Sequence, residues 1–156
     1  MPTVEERRET AEQLALILSE HGMQRMAARV LAAVIFAEQP TLTQGELAEE
    51  LTVSTGSVSG AITTLTSVGL VERVPAVGSR RDHYRLRDDA WARLFSRQNE
   101  VVDAMMRMAE RGVETTAQGG YARPRLEEMR EFYEFVLDEF PALIERWHRR
   151  REAKRS

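Results

Sequence analysis

The chain has 156 residues, a formal net charge of −3 and a sequence pI near 5.7, so it is not a generally basic polymer-binding protein. Its 42% hydrophobic and 30% charged residues exclude a disordered chain. The absence of cysteine excludes disulfides, a thiol redox switch and thiolate metal ligation.

No stretch of 18 apolar residues occurs and the first ten residues are polar and acidic, so we expect a cytoplasmic protein with no membrane segment. The charge is uneven. Residues 1–53 carry −5, 54–87 carry +3, 88–145 carry −6 and 146–156 carry +5. Arg supplies every basic residue except Lys154 and is spread over acidic helices too, which fits a GC-rich bacterial coding sequence better than a binding requirement.

Thr3-Val4-Glu5-Glu6 is a capping box, and Ala11, Leu14, Ile17 and Leu18 form the apolar stripe of a first helix ending at His21-Gly22. A second helix is expected from about Met23 to Glu38, with Met26, Val30, Leu31, Val34, Ile35 and Phe36 as its apolar residues. Pro40 ends it, and Thr41-Leu42 is placed to form a short strand.

The segment from Leu42 to Leu86 organises the chain. Thr43-Gln44-Gly45-Glu46 is a second capping box and opens a helix with Leu47, Ala48 and Leu51 on one face. After Thr52-Val53, Ser54 caps another helix, in which Val58, Ala61, Ile62, Leu65 and Val68 fall on one buried side. Gly69 stops it where a left-handed residue is wanted. Leu70–Val74 and Asp82–Leu86 read as two strands joined through Pro75-Ala76-Val77-Gly78-Ser79. Two short helices, a turn and a hairpin in this order make a winged helix-turn-helix, and that architecture points to double-stranded DNA.

On a helical wheel the side opposite Val58 carries Gly56, Gly60, Thr63 and Ser67, flanked by Ser59 and Thr64. A solvated face normally carries Lys and Glu. Small hydroxyls and glycines suit a surface that must approach a partner closely, and Ser and Thr can meet base edges or thymine methyls. Packing against another protein helix would also use small residues. The hairpin holds the charge: Ser54 to Arg87 contains five arginines and two acidic residues, with Arg80 and Arg81 at the tip and Arg85 and Arg87 further down the return strand. A paired-Arg wing suits the minor groove and the phosphates, whereas the plain alternative is a solvated edge hairpin that resists aggregation by charge.

The pattern Thr43-x-x-Glu46-Leu47-Ala48, Val53-Ser54, Val58-Ser59, Leu65, Gly69-Leu70-Val71-Glu72-Arg73-Val74 and Gly78-Ser79-Arg80-Arg81-Asp82-His83-Tyr84 resembles the MarR-type regulators. Within them its G-x-R-x-x-x-Y wing is most similar to the GbsR-like branch. The resemblance implies that Ser54 to Val68 is the recognition helix and that Arg80 and Arg81 contact DNA. The full contact set expected on this basis is Thr43, Ser54, Thr55, Gly56, Ser59, Gly60, Thr63, Thr64, Ser67, Arg73, Arg80, Arg81, His83 and Arg85. Two departures stand out: Thr63 occupies a position where these proteins often have Arg, and Ser79 stands where many place an acidic residue.

From Asp88-Asp89 the residues Trp91, Leu94, Phe95, Val101, Val102, Met105, Met108 and Ala109 keep helical spacing, with Gly112 ending the firm pattern. Thr115 to Arg123 reads as a loop. Pro124 suits the first turn of a last helix carrying Leu126, Met129, Phe132, Tyr133, Val136, Leu137 and Phe140. Pro141 is expected to kink or break that helix before Leu143, Ile144 and Trp147. One chain cannot bury all these stripes, so we expect a homodimer whose first and last helices interlock. The resemblance implies the same arrangement. Such a dimer spaces its recognition helices about one DNA turn (roughly 34–36 Å) apart and calls for an inverted-repeat operator. The basic tail from Arg146 to Arg155 reads as a solvated helix end or as a contact to DNA or an acidic partner.

Met23, Met26, Trp91 and Phe95 are the residues expected to line a small-molecule effector pocket, since the resemblance implies small, often aromatic effectors; a Met or aromatic stripe also serves as plain core. Enzyme chemistry finds no parts here. Gly56-Ser57-Val58-Ser59-Gly60 places Val where a nucleophile elbow needs Ser, and His21, His83 and His148 have no zinc spacing. No catalytic residues, cofactor or metal are expected.

The expected fold is mainly α with a small β-wing: an N-terminal dimerisation helix over 1–21, the winged helix-turn-helix over 22–88 and C-terminal dimerisation helices over 89–156. The expected function is sequence-specific transcriptional regulation, as a repressor on an inverted repeat and released by an effector. The competing reading is a winged-helix interaction or architectural module that does not read sequence.

Overall fold

Thr3 and Thr43 begin their helices in the same way. Each side chain accepts from the backbone N–H three residues on, and each N-cap backbone is bonded in return by the Glu6 or Glu46 carboxylate. In the computed structural model, which describes all 156 residues, these caps open α1 (Val4–Glu20) and α3 (Gln44–Leu51). Between them lie α2 (Arg25–Phe36) and the two-residue strand β1 (Leu42–Thr43); after them come α4 (Thr55–Ser67), β2 (Val71–Val74), β3 (His83–Leu86), α5 (Ala90–Thr115) and α6 (Ala122–Arg155). Helix accounts for 71% of the chain. By contacts the chain divides into two compact units, residues 1–93 and 94–156.

The first unit is a winged helix-turn-helix with an added helix. Its core is Val30, Leu31 and Val34 of α2, Leu47 and Leu51 of α3, and Val58, Ile62 and Leu65 of α4, all buried. The turn between α3 and α4 passes through Thr52 in the left-handed region, φ 54°. The end of α4 is a Schellman closure: Gly69, at φ 78°, donates to the Thr66 carbonyl and Leu70 donates to that of Leu65. That reversal sends the chain directly into β2. The sheet order is β1-β3-β2, all antiparallel, with Leu42 opposite Tyr84 and Glu72 opposite Arg85. The short strand expected at Thr41-Leu42 therefore exists one residue further on, and it pairs with the wing.

α1 differs from expectation. It packs on α2 within its own unit through Ala15, Ala28 and Ala32, joined by Ala11, Leu14, Leu18 and Met23. Alanines bring the two backbones close, and Ile17, expected in the buried stripe, is instead 54% exposed. α1 is also tied to α3 by charge. Arg8 donates two hydrogen bonds to Glu50 at 3.0 and 3.1 Å, and Arg29 on α2 donates to Glu12 on α1 and to the Leu51 carbonyl at the end of α3. These pairs line a cavity of about 470 Å³ among α1, α2 and α3.

The Arg8 hydrogen bonds hold the Glu50 carboxyl below the ordinary glutamate value of 4.5, against a smaller opposing effect of burial. A carboxyl lowered on folding stabilises the fold fully above its unfolded value, and that contribution is lost as pH falls through the folded value. Glu50→Gln is therefore expected to weaken the fold at pH 7 and to lose less of its remaining stability than wild type below pH 4.5. Urea titrations at the two pH values check this; equal acid sensitivity would show that the pair contributes nothing.

In the second unit α5 and α6 run antiparallel. Phe95 stacks on Phe140 at 5.0 Å between ring centroids, and at the other end Gly112 lies against Leu126. A Cβ on Gly112 would come within 2.9 Å of the Leu126 methyls, so this glycine permits close helix packing instead of ending α5, which continues to Thr115. Phe95, Val102, Ala109 and Val113 fall on one face of α5 at steps of seven, seven and four residues, and Ala109 and Val113 are buried. α6 runs on as a helix through Pro141, so the break expected there does not occur. The residue is exposed, so the Leu137 carbonyl it leaves unpaired can turn to water. No residue of α6 is buried, and Phe132, Phe135, Leu143 and Trp147 stay exposed, as do Val101, Met105 and Met108 on α5.

Candidate nucleic-acid interface

α4 buries Val58, Ala61, Ile62 and Leu65 and turns Gly56, Gly60, Thr63, Thr64 and Ser67 outward as exposed residues. Its first turn is held by Ser54, whose hydroxyl accepts from the Ser57 N–H at 3.2 Å and meets the Ser57 hydroxyl at 2.9 Å. Thr55 is exposed and Ser59 half-buried at the margin of the same face. A Cβ added at Gly60 would meet no atom within 4 Å, and one at Gly56 would meet only the Ser54 hydroxyl at 3.9 Å. No part of this chain packs on that face. The glycine at position 60 costs α4 roughly 1 kcal/mol relative to alanine, and nothing within the chain requires it.

Three of the outward hydroxyls, those of Thr63, Thr64 and Ser67, turn back onto the helix backbone. Thr63 donates to the Ser59 carbonyl at 3.0 Å, Thr64 to that of Gly60 at 3.2 Å, and Ser67 to that of Thr64 at 2.8 Å. Each keeps its oxygen lone pairs as acceptors for a partner, and the threonines also present a γ-methyl. The surface combines acceptors and methyl groups with no charge.

The wing sorts its arginines into two kinds. Arg85 on β3 donates to Glu72 on the paired strand β2 at 2.8 Å, and Arg73 lies 3.6 Å from Asp82. Arg87 pairs with Asp89, beyond the hairpin. Arg80 and Arg81 are exposed at the tip and make no ion pair. The net +3 of this region is thus delivered by two free guanidiniums at one point, while the stem arginines are largely neutralised.

Ser79 and His83 brace the tip. The Ser79 hydroxyl accepts from the Arg81 N–H at 3.2 Å and lies 3.0 Å from His83 Nε2, and His83 Nδ1 lies 3.0 Å from the Thr41 hydroxyl. Gly78, at φ 78°, makes the turn. Ser79, read in the sequence as the end of the turn and as a departure from an acidic pattern, anchors the loop that carries the arginines; Thr41 was read only as part of a short strand. Neither is visible from spacing, because both act across the folded hairpin.

Thr43 needs correction as a contact residue. It is 5% exposed, and its hydroxyl is engaged with the Glu46 carboxylate and backbone. Burial leaves it to cap α3, not to meet a duplex. Of the residues expected around an effector, Met23 packs into the α1–α2 cluster, Met26 is half-buried, and Trp91 and Phe95 are 47% and 45% exposed. The cavity among α1, α2 and α3 is lined by other residues, including Arg7, Arg8, Glu12 and Arg29. No group of His, Asp or Glu side chains converges as a metal site requires, and no helix is long and apolar enough to cross a membrane.

Comparison with known proteins bears on both units. A model of the MarR family matches residues 21–82, and a model of MmpR5-like MarR family transcriptional regulators matches residues 89–150. The HTH-type transcriptional regulator MmpR5 of Mycobacterium tuberculosis (strain ATCC 25618 / H37Rv) is 26% identical over 129 residues, covering 82% of this chain and 78% of that protein. A crystal structure described as a transcriptional regulator superposes with a TM-score of 0.73 at 24% identity, covering 92% of this chain and 98% of that one. That superposition bears on the fold alone.

Proposed function

Because this chain belongs to the MarR family of winged helix-turn-helix transcriptional regulators, a family of DNA-binding regulators and not enzymes, we propose that it acts as a cytoplasmic homodimeric repressor on an inverted-repeat operator. The observation that carries the reading is the open face of α4, where a Cβ on Gly60 would meet nothing within 4 Å, together with a wing tip that carries two unpaired arginines. A recognition helix enters the major groove and a basic wing follows the phosphates. In this reading Ser54, Thr55, Gly56, Ser59, Gly60, Thr63, Thr64 and Ser67 face the groove. Arg80 and Arg81 hold the backbone, with His83, Arg73 and Arg85 in support.

The exposed apolar side chains of the terminal helices support a dimer: Val4 and Ile17 on α1, and Phe132, Phe135, Leu143 and Trp147 on α6. Exposed aromatics of this number are covered by a second copy in the proposed assembly. The wing pattern Gly78-x-Arg80-x-x-x-Tyr84 supports a GbsR-like position within the family. Release by a small, largely apolar effector belongs to the same reading.

The test is selection from random duplex DNA by the purified protein at near-physiological salt, with the mass of the complex measured alongside. An inverted repeat with one-turn half-site spacing and two chains per duplex is expected. Salt-sensitive bulk binding without a motif would overturn the reading in favour of an architectural module.

A further inference from the structure

We infer that the operator is read in the major groove chiefly through the C5 methyl groups of thymines, with Thr63 and Thr64 as the residues that set this preference. The inference rests on the proposed reading of α4 as the recognition helix and adds the chemistry that the helix can recognise.

The helix TGSVSGAITTLTS contains no Arg, Lys, Asn or Gln. The strongest direct contacts to guanine need a double donor spanning O6 and N7, and those to adenine need an amide spanning N6 and N7. Neither is available on α4. The outward groups are also biased further. Thr63 and Thr64 give their hydroxyl protons to the Ser59 and Gly60 carbonyls at 3.0 and 3.2 Å, so their hydroxyls do not face a partner as donors. What remains is a pair of lone-pair acceptors and two γ-methyls on an exposed, uncharged surface. Thr55 and Ser59 can each offer one hydroxyl, but a single hydroxyl does not span the two guanine acceptors.

The close approach required by a methyl-to-methyl contact is supplied next door. Gly60 and Gly56 have no side chain, and a Cβ at position 60 would stand in open space. The backbone of α4 can therefore approach the floor of the groove with the two threonine methyls leading. Thymine is the only base that places a methyl there. Orientation and most of the affinity then fall to Arg80 and Arg81 on the phosphates, and the helix contributes discrimination.

Replacing thymine by uracil removes the C5 methyl and leaves base pairing unchanged. The experiment measures binding of the full-length protein to the operator recovered by selection, with thymine or uracil at the half-site positions. Burying one methyl corresponds to about a fourfold change in affinity, so a symmetric pair of substitutions is expected to weaken wild type by about tenfold or more. Thr63→Ser combined with Thr64→Ser keeps the hydroxyls and removes the methyls, and should bind the two duplexes equally. Thr63→Val combined with Thr64→Val keeps the methyls and should retain the preference for thymine. Circular dichroism establishes that both variants are folded. Equal binding of thymine and uracil duplexes by wild type, or undiminished discrimination by the double-serine variant, would overturn the inference and leave the operator reading standing. Selection that recovers no motif would instead sink the operator reading, and this inference with it.

Discussion

Gly60→Glu is expected to abolish operator binding while making the protein slightly more stable. The two effects have separate origins. Glycine is the weakest helix former after proline, and a Cβ at position 60 meets nothing within 4 Å, so a glutamate there gains about 0.5 to 1 kcal/mol of helix stability. The same side chain would project from the centre of the recognition face toward the phosphates and the acceptor-rich floor of the groove. Like charges brought together at an interface cost several kcal/mol, which is about a hundredfold or more in affinity, and a dimer carries the change twice. Thermal melts and binding titrations on the same preparation check both halves. A variant that melts higher and no longer binds would identify this face as the contact surface. A variant that binds like wild type would show that α4 does not enter the groove.

Replacing Arg80 and Arg81 together by alanine is expected to weaken binding to every duplex by a similar factor, about a hundredfold at near-physiological salt. The salt dependence should fall too. Each phosphate contact contributes about 0.9 to the slope of log K against log salt, so two contacts per chain remove about two units, and a dimer roughly twice that. Preference for the operator over other sequences should persist, because phosphate contacts carry no base information. Arg85→Ala provides the contrast. Glu72 already holds that guanidinium at 2.8 Å, so its removal should change the slope little. A double variant with an unaltered slope would remove the wing from the interface.

These expectations show where the sequence was legible. Features within one turn of chain could be read directly: the Thr43 and Ser54 caps, the left-handed Gly69 and the apolar face of α4 lie where their spacing placed them, except that Val68 is a half-buried C-cap beyond the helix. The seam between α1 and α2 could not. Ala15, Ala28 and Ala32 carry little hydrophobic signal, and Ile17, the stronger apolar residue, points outward. Gly112 was legible as an interruption but not as a packing contact, because its reason lies in Leu126 on another helix. Pro141 was overridden by the helix around it, since its loss falls at an exposed position.

The site was legible in its residue types but not in its electrostatics. The sequence placed five arginines in one region, with Arg80 and Arg81 at the hairpin tip, and left open which of them are paired. Pairing across the hairpin, between Arg85 and Glu72 and between Arg73 and Asp82, confines the unpaired charge to Arg80 and Arg81. The direction of the threonine hydroxyls was equally hidden, because it depends on the carbonyl four residues earlier being free to accept. Both facts change the expected experiment. One concentrates the salt effect in two residues, and the other converts a general hydroxyl surface into a methyl-bearing one.

The most direct test of the account is the ratio of two affinities measured at one salt concentration: that for the operator recovered by selection, and that for a duplex of the same composition with its sequence scrambled. A sequence-reading regulator is expected to prefer the operator by about a thousandfold or more, as specific DNA-binding proteins do, and the ratio should survive loss of the wing arginines. A ratio near one, with both affinities falling together as salt rises, would contradict the central claim and leave a winged helix that holds DNA without reading it.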